Sequence, residues 1–282
     1  MSTAPKLAAV IGWPVGQSLS PRLHGYWLKQ HGIAGAYVAL PVRPENFGQV
    51  VAALPLMGFA GASVTVPHKE AAFALVSSLD EDSKATGAVN TLIFENGAVR
   101  GVNTDVRGFA ASLAETLGPD AAKAGPVAML GAGGAARAIL VALSRAGASE
   151  IRILNRTKKR AAELAASVAG LARVTVADWG DWKSAFAGAR LLVNTTSLGM
   201  TGKDPLDVPL DALPKEAAVA DIVYNPLETE LLRAARARGL RTMDGLGMLM
   251  HQAVPAFASW FGVTPQVTPD LRAELIKALP RA

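Results

Sequence analysis

The chain has 282 residues, with 28 Lys and Arg against 23 Asp and Glu for a net charge of +5, and 50% of its residues are apolar. That composition, with a mean hydropathy of +0.26, excludes a disordered tail and is long enough for one large domain or two ordinary ones. Cysteine is absent, which removes disulfides, thiolate metal sites, iron–sulfur clusters and cysteine nucleophiles, and suits a reducing compartment. The four histidines (His24, His31, His68, His251) include no pair three or four residues apart. A helical metal pair is therefore excluded, and no metal is implied.

In chain order, Leu7–Ile11 predicts a first strand. It is too short for a secretory core and is broken by Gly12 and Pro14. Ser20-Pro21 predicts a helix start, with Ser20 as N-cap and proline at the first helical position. Ala36–Leu40 and Ala62–Val66 predict further strands. The uncharged stretch from Asn46 to His68 has the nominal length of a membrane span. Pro55, Gly58 and Gly61 cut it, and Gln49, Ser63 and Thr65 make it polar at intervals, so it predicts a short helix, a turn and a buried strand. A soluble, cytoplasmic protein without membrane contact is expected. Thr91–Phe94 and Val99–Val102 flank Glu95-Asn96-Gly97, the signal of a β-hairpin.

From Val127 onward strands and helices alternate, which predicts an α/β fold. Strands are expected at Val127–Leu130, Ile151–Leu154, Val174–Val176, Leu191–Asn194, Val219–Val223 and Arg241–Met243, with helices at Ala135–Ala146, Lys159–Val168 and Thr229–Arg238. That is the strand number of a doubly wound nucleotide-binding sheet. A long apolar helix containing Pro255 is expected after Gly245, and a final amphipathic helix after Thr268. No flexible linker is present, so two domains would share a rigid junction, a common place for a cleft.

Val127–Leu130 runs directly into Gly131-Ala132-Gly133-Gly134-Ala135-Ala136-Arg137, a strand followed by G-x-G-x-x-A and a helix. The first glycine allows the tight turn, the second lets backbone amides reach a pyrophosphate, and the small residue at 136 lets helix and strand pack. The helix N-terminus adds unpaired N–H groups and a positive dipole end. An NAD site places an acid about 20 residues further on, for the ribose 2′-hydroxyl. Here the next strand ends instead in Asn155-Arg156-Thr157-Lys158-Lys159-Arg160. Arg156, with Thr157 and Arg160, is suited to a 2′-phosphate; the plainer alternatives are a solvated helix start or a weak nucleic-acid patch. Cations in the first turn of a helix oppose its dipole, and the run lacks interleaved aromatics. The reading is NADP, with no nucleic acid.

Polar clusters also interrupt the apolar first hundred residues. Ser18 and Ser20 are two residues apart in a loop, Thr65 and Lys69 follow a strand, and Asn90 and Asp105 stand at strand ends. Singly each suits a turn or cap, Asp105 for instance as N-cap of a helix beginning near Val106. Together they suggest a pocket for a small, polyhydroxylated, anionic ligand.

At this point the sequence resembles the shikimate dehydrogenase family. The motifs that carry the resemblance are GWPVGQSLSPRLH, SVTVPHK, GAVNTL, GVNTDVRG, GAGGAARA, NRTKKR, NTTSLGM, DIVYNPLETELL and GLGMLMHQA, in order over residues 12 to 253. The resemblance implies reversible, NADP-dependent reduction of 3-dehydroshikimate to shikimate in the aromatic amino-acid pathway. It also implies an α/β fold of two domains. These are an N-terminal α/β substrate domain over residues 1–105, completed by C-terminal helices over 246–282, and a Rossmann-type, doubly wound parallel-sheet NADP domain over 106–245, with substrate at the cleft between them.

Carried over residue by residue, the resemblance places Ser18 and Ser20 on the substrate carboxylate. Thr65, Asn90 and Asp105 fall on the ring hydroxyls, Gln252 closes the pocket, and Tyr224 approaches from the cofactor side. Lys69 and Asp105 match the catalytic pair. Gly131, Ala132, Gly133, Gly134 and Ala135 match the diphosphate loop, and Asn155, Arg156, Thr157 and Arg160 the adenosine-phosphate clamp. Thr195, Gly245 and Met248 complete the cofactor set. Gln17, Ser63 and Gly25 depart from the family's usual His, Asn and Asn.

Ketone reduction by hydride needs a proton for the developing alkoxide and stabilisation of its charge, and an ammonium supplies both. Asp105 would orient Lys69 and share in the proton transfer; the acid/base role stays undivided between them. The rival readings are a quinate/shikimate dehydrogenase with relaxed cofactor use and a non-catalytic NADP-binding regulator. A monomer or homodimer is expected.

Overall fold

The computed structural model describes residues 5–168 and 172–280; the outer ends of the two expected domain spans, residues 1–4 and 281–282, lie outside the described residues. The chain divides into two compact units, one over residues 5–105 and 252–278, the other over 106–251 and 279–280.

The first unit contains β1 (Lys6–Gly12), α1 (Ser20–Gln30), β2 (Gly35–Pro41), α2 (Phe47–Ala53), β3 (Phe59–Val64), α3 (Lys69–Leu75), β4 (Ser78–Leu79), α4 (Glu81–Thr86), β5 (Thr91–Glu95) and β6 (Ala98–Val102). Its six-stranded sheet runs β2-β1-β3-β5-β6-β4. The β1 pairings to β2 and β3 are parallel, while β3–β5 and β5–β6 are antiparallel. The β5–β6 turn has both Asn96 (φ 52°) and Gly97 (φ 75°) left-handed, the backbone that an Asn-Gly hairpin requires. Residues 8 to 11 of β1 are all buried, as expected of a strand covered on both faces. One apolar cluster joins Ile11, Phe47, Val51, Leu54, Val64 and Leu92.

The second unit begins within α5 (Asp105–Leu117) and continues through β7 (Val127–Leu130), α6 (Gly134–Arg145), β8 (Glu150–Leu154), α7 (Lys158–Ser167), β9 (Arg173–Ala177), α8 (Trp182–Phe186), β10 (Leu191–Asn194), β11 (Ala218–Asp221), α9 (Glu230–Ala237) and β12 (Arg241–Met243). Its sheet runs β12-β11-β10-β7-β8-β9, with every pairing parallel. Counted along the chain this is the order 3-2-1-4-5-6 of a doubly wound dinucleotide fold, so ligands are expected at the carboxyl ends of β7 and β10, where the winding reverses. The strands β7, β10 and β11 are buried throughout, the mark of a sheet covered on both sides. The long α10 (Gly245–Phe261) contains Pro255 and re-enters the first unit at Gln252, and α11 (Pro269–Ile276) follows there. No described helix is long and apolar enough to cross a membrane.

Several local expectations are corrected. The N-cap of α1 is Leu19, with no side-chain cap; Ser20 is the first helical residue, and its N–H donates to Ser18 Oγ at 3.3 Å. Strand β3 starts three residues earlier than expected and ends at Val64. Thr65 N–H still donates to Ile11 O, but Val66 is exposed and Pro67 has no N–H for a ladder. Strand β11 stops at Asp221 because that carboxylate takes the N–H of Val223 at 3.0 Å, a side-chain competitor to the ladder.

Candidate active site

In the first unit α3 opens with Lys69 and α5 with Asp105. Lys69 Nζ donates to Asp105 Oδ2 at 2.5 Å, with side chains only 16% and 9% exposed. The expectation of Asp105 as a cap preceding its helix is corrected: it is the first helical residue, and both carboxylate oxygens accept from side chains. The second oxygen accepts from Asn90 Nδ2 at 2.9 Å. Asn90 is buried and is also joined to Thr104: its Oδ1 accepts from Thr104 N–H at 2.8 Å, and its Nδ2 lies 3.0 Å from Thr104 Oγ1. Gln252 Oε1 accepts from Thr104 Oγ1 at 3.2 Å and from Asn90 Nδ2 at 3.4 Å. Five side chains thus form one hydrogen-bonded group.

Neighbouring residues fix this group from behind. His68 Nε2 lies 2.8 Å from Val42 O, so it carries the proton, and the ring stacks on Phe47. Asn103 Oδ1 accepts from the N–H of Asp105, while its Nδ2 donates to Thr86 Oγ1 and Ala88 O. Both anchors hold the chain next to a member of the pair. Removing either Lys69 or Asp105 would leave a largely dry charge without its partner, which typically costs about 3–5 kcal/mol.

Ser18, Ser20 and Thr65 lie past the carboxyl ends of the parallel strands β1 and β3. Ser20 is buried and Ser18 and Thr65 are half-buried. Behind Ser20 stands Tyr37 of β2, whose hydroxyl donates to Ser63 Oγ at 2.8 Å. Burial raises the Tyr37 phenol above its ordinary value, opposed by hydrogen bonds with Ser63 and Ser20. Ser63, a departure from the family pattern, is thereby given a partner. The ring of His24 stacks on Tyr37 at 4.0 Å, wholly buried, with neither ring nitrogen hydrogen-bonded.

In the second unit Gly131 follows β7 at φ 106°, and a Cβ there would stand 2.7 Å from Thr195 Oγ1. Thr195 Oγ1 donates to Leu130 O at 2.6 Å, tying the segment after β10 to the end of β7. A Cβ on Gly133 or Gly134 would meet open space. Gly133 is the N-cap of α6, no side chain caps it, and the first turn has no acid. The glycine turn therefore offers open space and a positive helix end to an anion. Past β8, Asn155 Nδ2 donates to Thr157 O at 2.9 Å, and Arg156, Thr157 and Arg160 are exposed. These residues suit a dinucleotide carrying an extra phosphate.

Tyr224 follows β11, half-buried, while Gly245 and Met248 are buried in α10. The approach to Tyr224 is held by Asp221, which accepts from Asn194 Nδ2, Val223 N–H and Thr229 Oγ1 at 2.8–3.0 Å. Burial raises its carboxyl to about 6, and these three hydrogen bonds oppose the rise.

Two family profiles match the chain: the shikimate dehydrogenase substrate binding domain over residues 10–92, and shikimate / quinate 5-dehydrogenase over residues 112–198. A shikimate dehydrogenase (NADP(+)) of Paramagnetospirillum magneticum is 54% identical over 97% of this chain and 99% of its own. The chain belongs to the shikimate dehydrogenase family. Among solved structures, shikimate 5-dehydrogenase from Thermus thermophilus in complex with NADP(H) and shikimate matches with a TM-score of 0.85 and 35% identity, covering 97% of this chain and 99% of that one. Quinate dehydrogenase from Corynebacterium glutamicum in complex with NAD matches with a TM-score of 0.89 and 32% identity over 97% and 99%. The fold of the shikimate dehydrogenase family is thus shared by proteins solved with different cofactors, and the choice between them rests on side chains.

Sequence reasoning missed several residues that support these groups. Thr104 and Asn103 sit inside the quoted motif GVNTDVRG, and His68 inside SVTVPHK, so their places were in view without their partners. Asp221 likewise opens the quoted motif DIVYNPLETELL, while Tyr37 carried no local signal.

Proposed function

We propose that this chain catalyses the reversible NADP-dependent reduction of 3-dehydroshikimate to shikimate in aromatic amino-acid biosynthesis. The observation that carries the reading is the Lys69–Asp105 pair at 2.5 Å, joined to the amide and hydroxyl group of Asn90, Thr104 and Gln252, in a member of the shikimate dehydrogenase family. NADPH supplies the hydride when bound.

The first unit serves the substrate and the second the cofactor. Ser18 and Ser20 bind the carboxylate, their hydroxyls being donors in a water-poor setting. Thr65, Asn90 and Gln252 hydrogen-bond the ring hydroxyls. A site built for hydroxyls rejects analogues that lack them, because its own buried polar groups are then left unpaired. Lys69 donates to the substrate oxygen as negative charge builds on it, and Asp105 keeps the ammonium aimed and shares its proton. In the oxidative direction the same pair takes the proton back. Gly131, Ala132, Gly133, Gly134 and Ala135 present backbone N–H groups to the diphosphate; Arg156, with Asn155, Thr157 and Arg160, receives the 2′-phosphate. Thr195, Gly245 and Met248 shape the remainder of the cofactor site. The cysteine-free composition supports a cytoplasmic enzyme.

The test is steady-state kinetics of Lys69→Ala, with circular dichroism to establish folding. General acid–base catalysis is worth roughly 10²–10⁴-fold, so turnover is expected to fall by that factor while the KM for shikimate changes far less. A folded variant with near-normal turnover would remove Lys69 from the mechanism.

A further inference from the structure

Three features outside the catalytic group invite a role: a polar cavity of about 460 Å³ beside Arg152 and Glu150, the buried His24, and the aromatic side chains beside the cofactor-loop arginine. In the cavity both terminal nitrogens of Arg152 are already engaged, by Glu150 and by the carbonyls of residues 184, 185 and 187. His24 lies wholly inside an aromatic cluster. The third feature goes further.

The Arg156 guanidinium lies over the indole of Trp179, 5.6 Å from the ring centroid. Trp179 meets Trp182 edge-on, with centroids 4.9 Å apart. Trp182 in turn faces Phe186 at 5.8 Å, and Phe186 is fully buried. A ladder of three aromatic rings therefore runs from the core of the second unit to an exposed arginine on the loop after β8. A separate contact ties the start of α7 to the segment after β9: Lys158 Nζ lies 2.8 Å from Asp178 Oδ1. Asp178, the nearest acid in sequence to Trp179, is thereby matched by a lysine.

We propose that Trp179 is a positioning residue for Arg156: the indole holds the guanidinium plane, so the arginine meets a 2′-phosphate already oriented. This rests on the reading of Arg156 as the 2′-phosphate group of the cofactor site. An unsupported arginine at a loop surface keeps many rotamers and loses them on binding. Stacking on a ring fixed to the core removes much of that cost beforehand. The consequence is selective. Trp179 strengthens binding of ligands with a 2′-phosphate and leaves ligands without one nearly unaffected.

The experiment is calorimetric titration of the full chain with adenosine 2′,5′-bisphosphate and with 5′-AMP, for wild type, Trp179→Ala, Trp179→Phe, Arg156→Ala and the double variant Trp179→Ala/Arg156→Ala. A cation–π contact at an exposed site is worth about two- to fivefold in binding. Trp179→Ala is expected to weaken the bisphosphate by that factor and to leave 5′-AMP unchanged. Trp179→Phe restores part of the loss, and Trp179→Ala has no further effect once Arg156 is gone. Equal weakening of both ligands, or additive losses in the double variant, would overturn the proposal and make Trp179 a general structural or adenine-facing residue. Separately, Arg156→Ala that weakens both ligands alike would overturn the clamp reading itself and the proposal with it. Circular dichroism establishes that each variant is folded, and Trp179→Phe keeps the test decisive where the alanine variant is not.

Discussion

His24 provides the most quantitative test of the packing. Its ring is fully buried between Tyr37, Trp27, Phe257 and Trp260, and burial lowers its pKa from 6.5 to about 3. Above pH 6.5 the ring is neutral in both native and unfolded chains, so it makes no pH-dependent difference there. Below that value the unfolded chain takes up a proton that the native state refuses, and stability is lost until the pH falls through the native value. The slope is about 1.4 kcal/mol per pH unit, which amounts to about 3 kcal/mol at pH 4.5. Replacing His24 with Phe keeps an aromatic ring against Tyr37 and abolishes the titration. It also removes a buried N–H without a partner, worth about 1–3 kcal/mol, against the overpacking cost of a larger ring, of similar size. At pH 7.5 the two proteins should therefore lie within about 1–2 kcal/mol of each other. Urea unfolding followed by circular dichroism at pH 7.5 and 4.5 measures both quantities. The difference in stability between wild type and His24→Phe should move by about 3 kcal/mol toward the variant on acidification. Parallel losses in the two proteins would mean that His24 is protonated inside the native fold or is not buried, and would refute the reasoning.

Other outcomes follow from the site. Asn90→Ala removes the hydrogen bond to Asp105 and the amide that joins Thr104 to it; kcat/KM for shikimate should fall roughly 10- to 100-fold, the worth of one charge-assisted hydrogen bond, and an unchanged value would exclude Asn90 from the site. Arg156→Ala should raise the KM for NADPH by a similar factor and leave that for NADH nearly alone, whereas equal effects on both would discard the clamp. Thr229→Ala takes away the N-cap of α9, which accepts from Leu232 N–H, and one hydroxyl on the buried Asp221; an unfolding cost of about 1–3 kcal/mol is expected at pH 7. The Asp221 carboxyl stands raised to about 6, so the native state holds its proton more tightly than the unfolded chain. The resulting stability is present at pH below 3.8 and is lost as pH rises through 6. Asp221→Asn should abolish that part of the pH dependence, and titration of wild-type and variant stability between pH 4 and 8 would show an unchanged slope if the carboxyl were instead ionised throughout.

The second unit was the more legible in sequence. Its central strands β7, β10 and β11 are apolar runs, helices α6, α7 and α9 have eight to twelve residues, and the glycine turn directly follows β7, so strand order and ligand end follow from general rules. The first unit hid more. Helices α3 and α4 have seven and six residues, too short for a periodic apolar stripe and held by tertiary contacts rather than propensity. Lys69 and Asp105 were paired by resemblance, but 36 residues separate them, and only the folded sheet shows that Asn90 joins them. Gln252 reaches Asn90 across 162 residues, a contact that no spacing argument reaches. The same applies to Tyr37 behind Ser20 and to Trp179 beneath Arg156: each is an aromatic in an unremarkable stretch, whose role depends on which strand lies beside it.

Absorbance at 340 nm, with shikimate or quinate as substrate and NADP or NAD as oxidant, reads reaction, substrate and cofactor in one assay. Rapid NADP reduction that depends on shikimate is expected, with much slower turnover when NAD or quinate is substituted. Preference for NAD or quinate would contradict the reading of Arg156 and of the substrate groups, and tight NADP binding with no turnover on any pairing would contradict catalysis by Lys69 and Asp105.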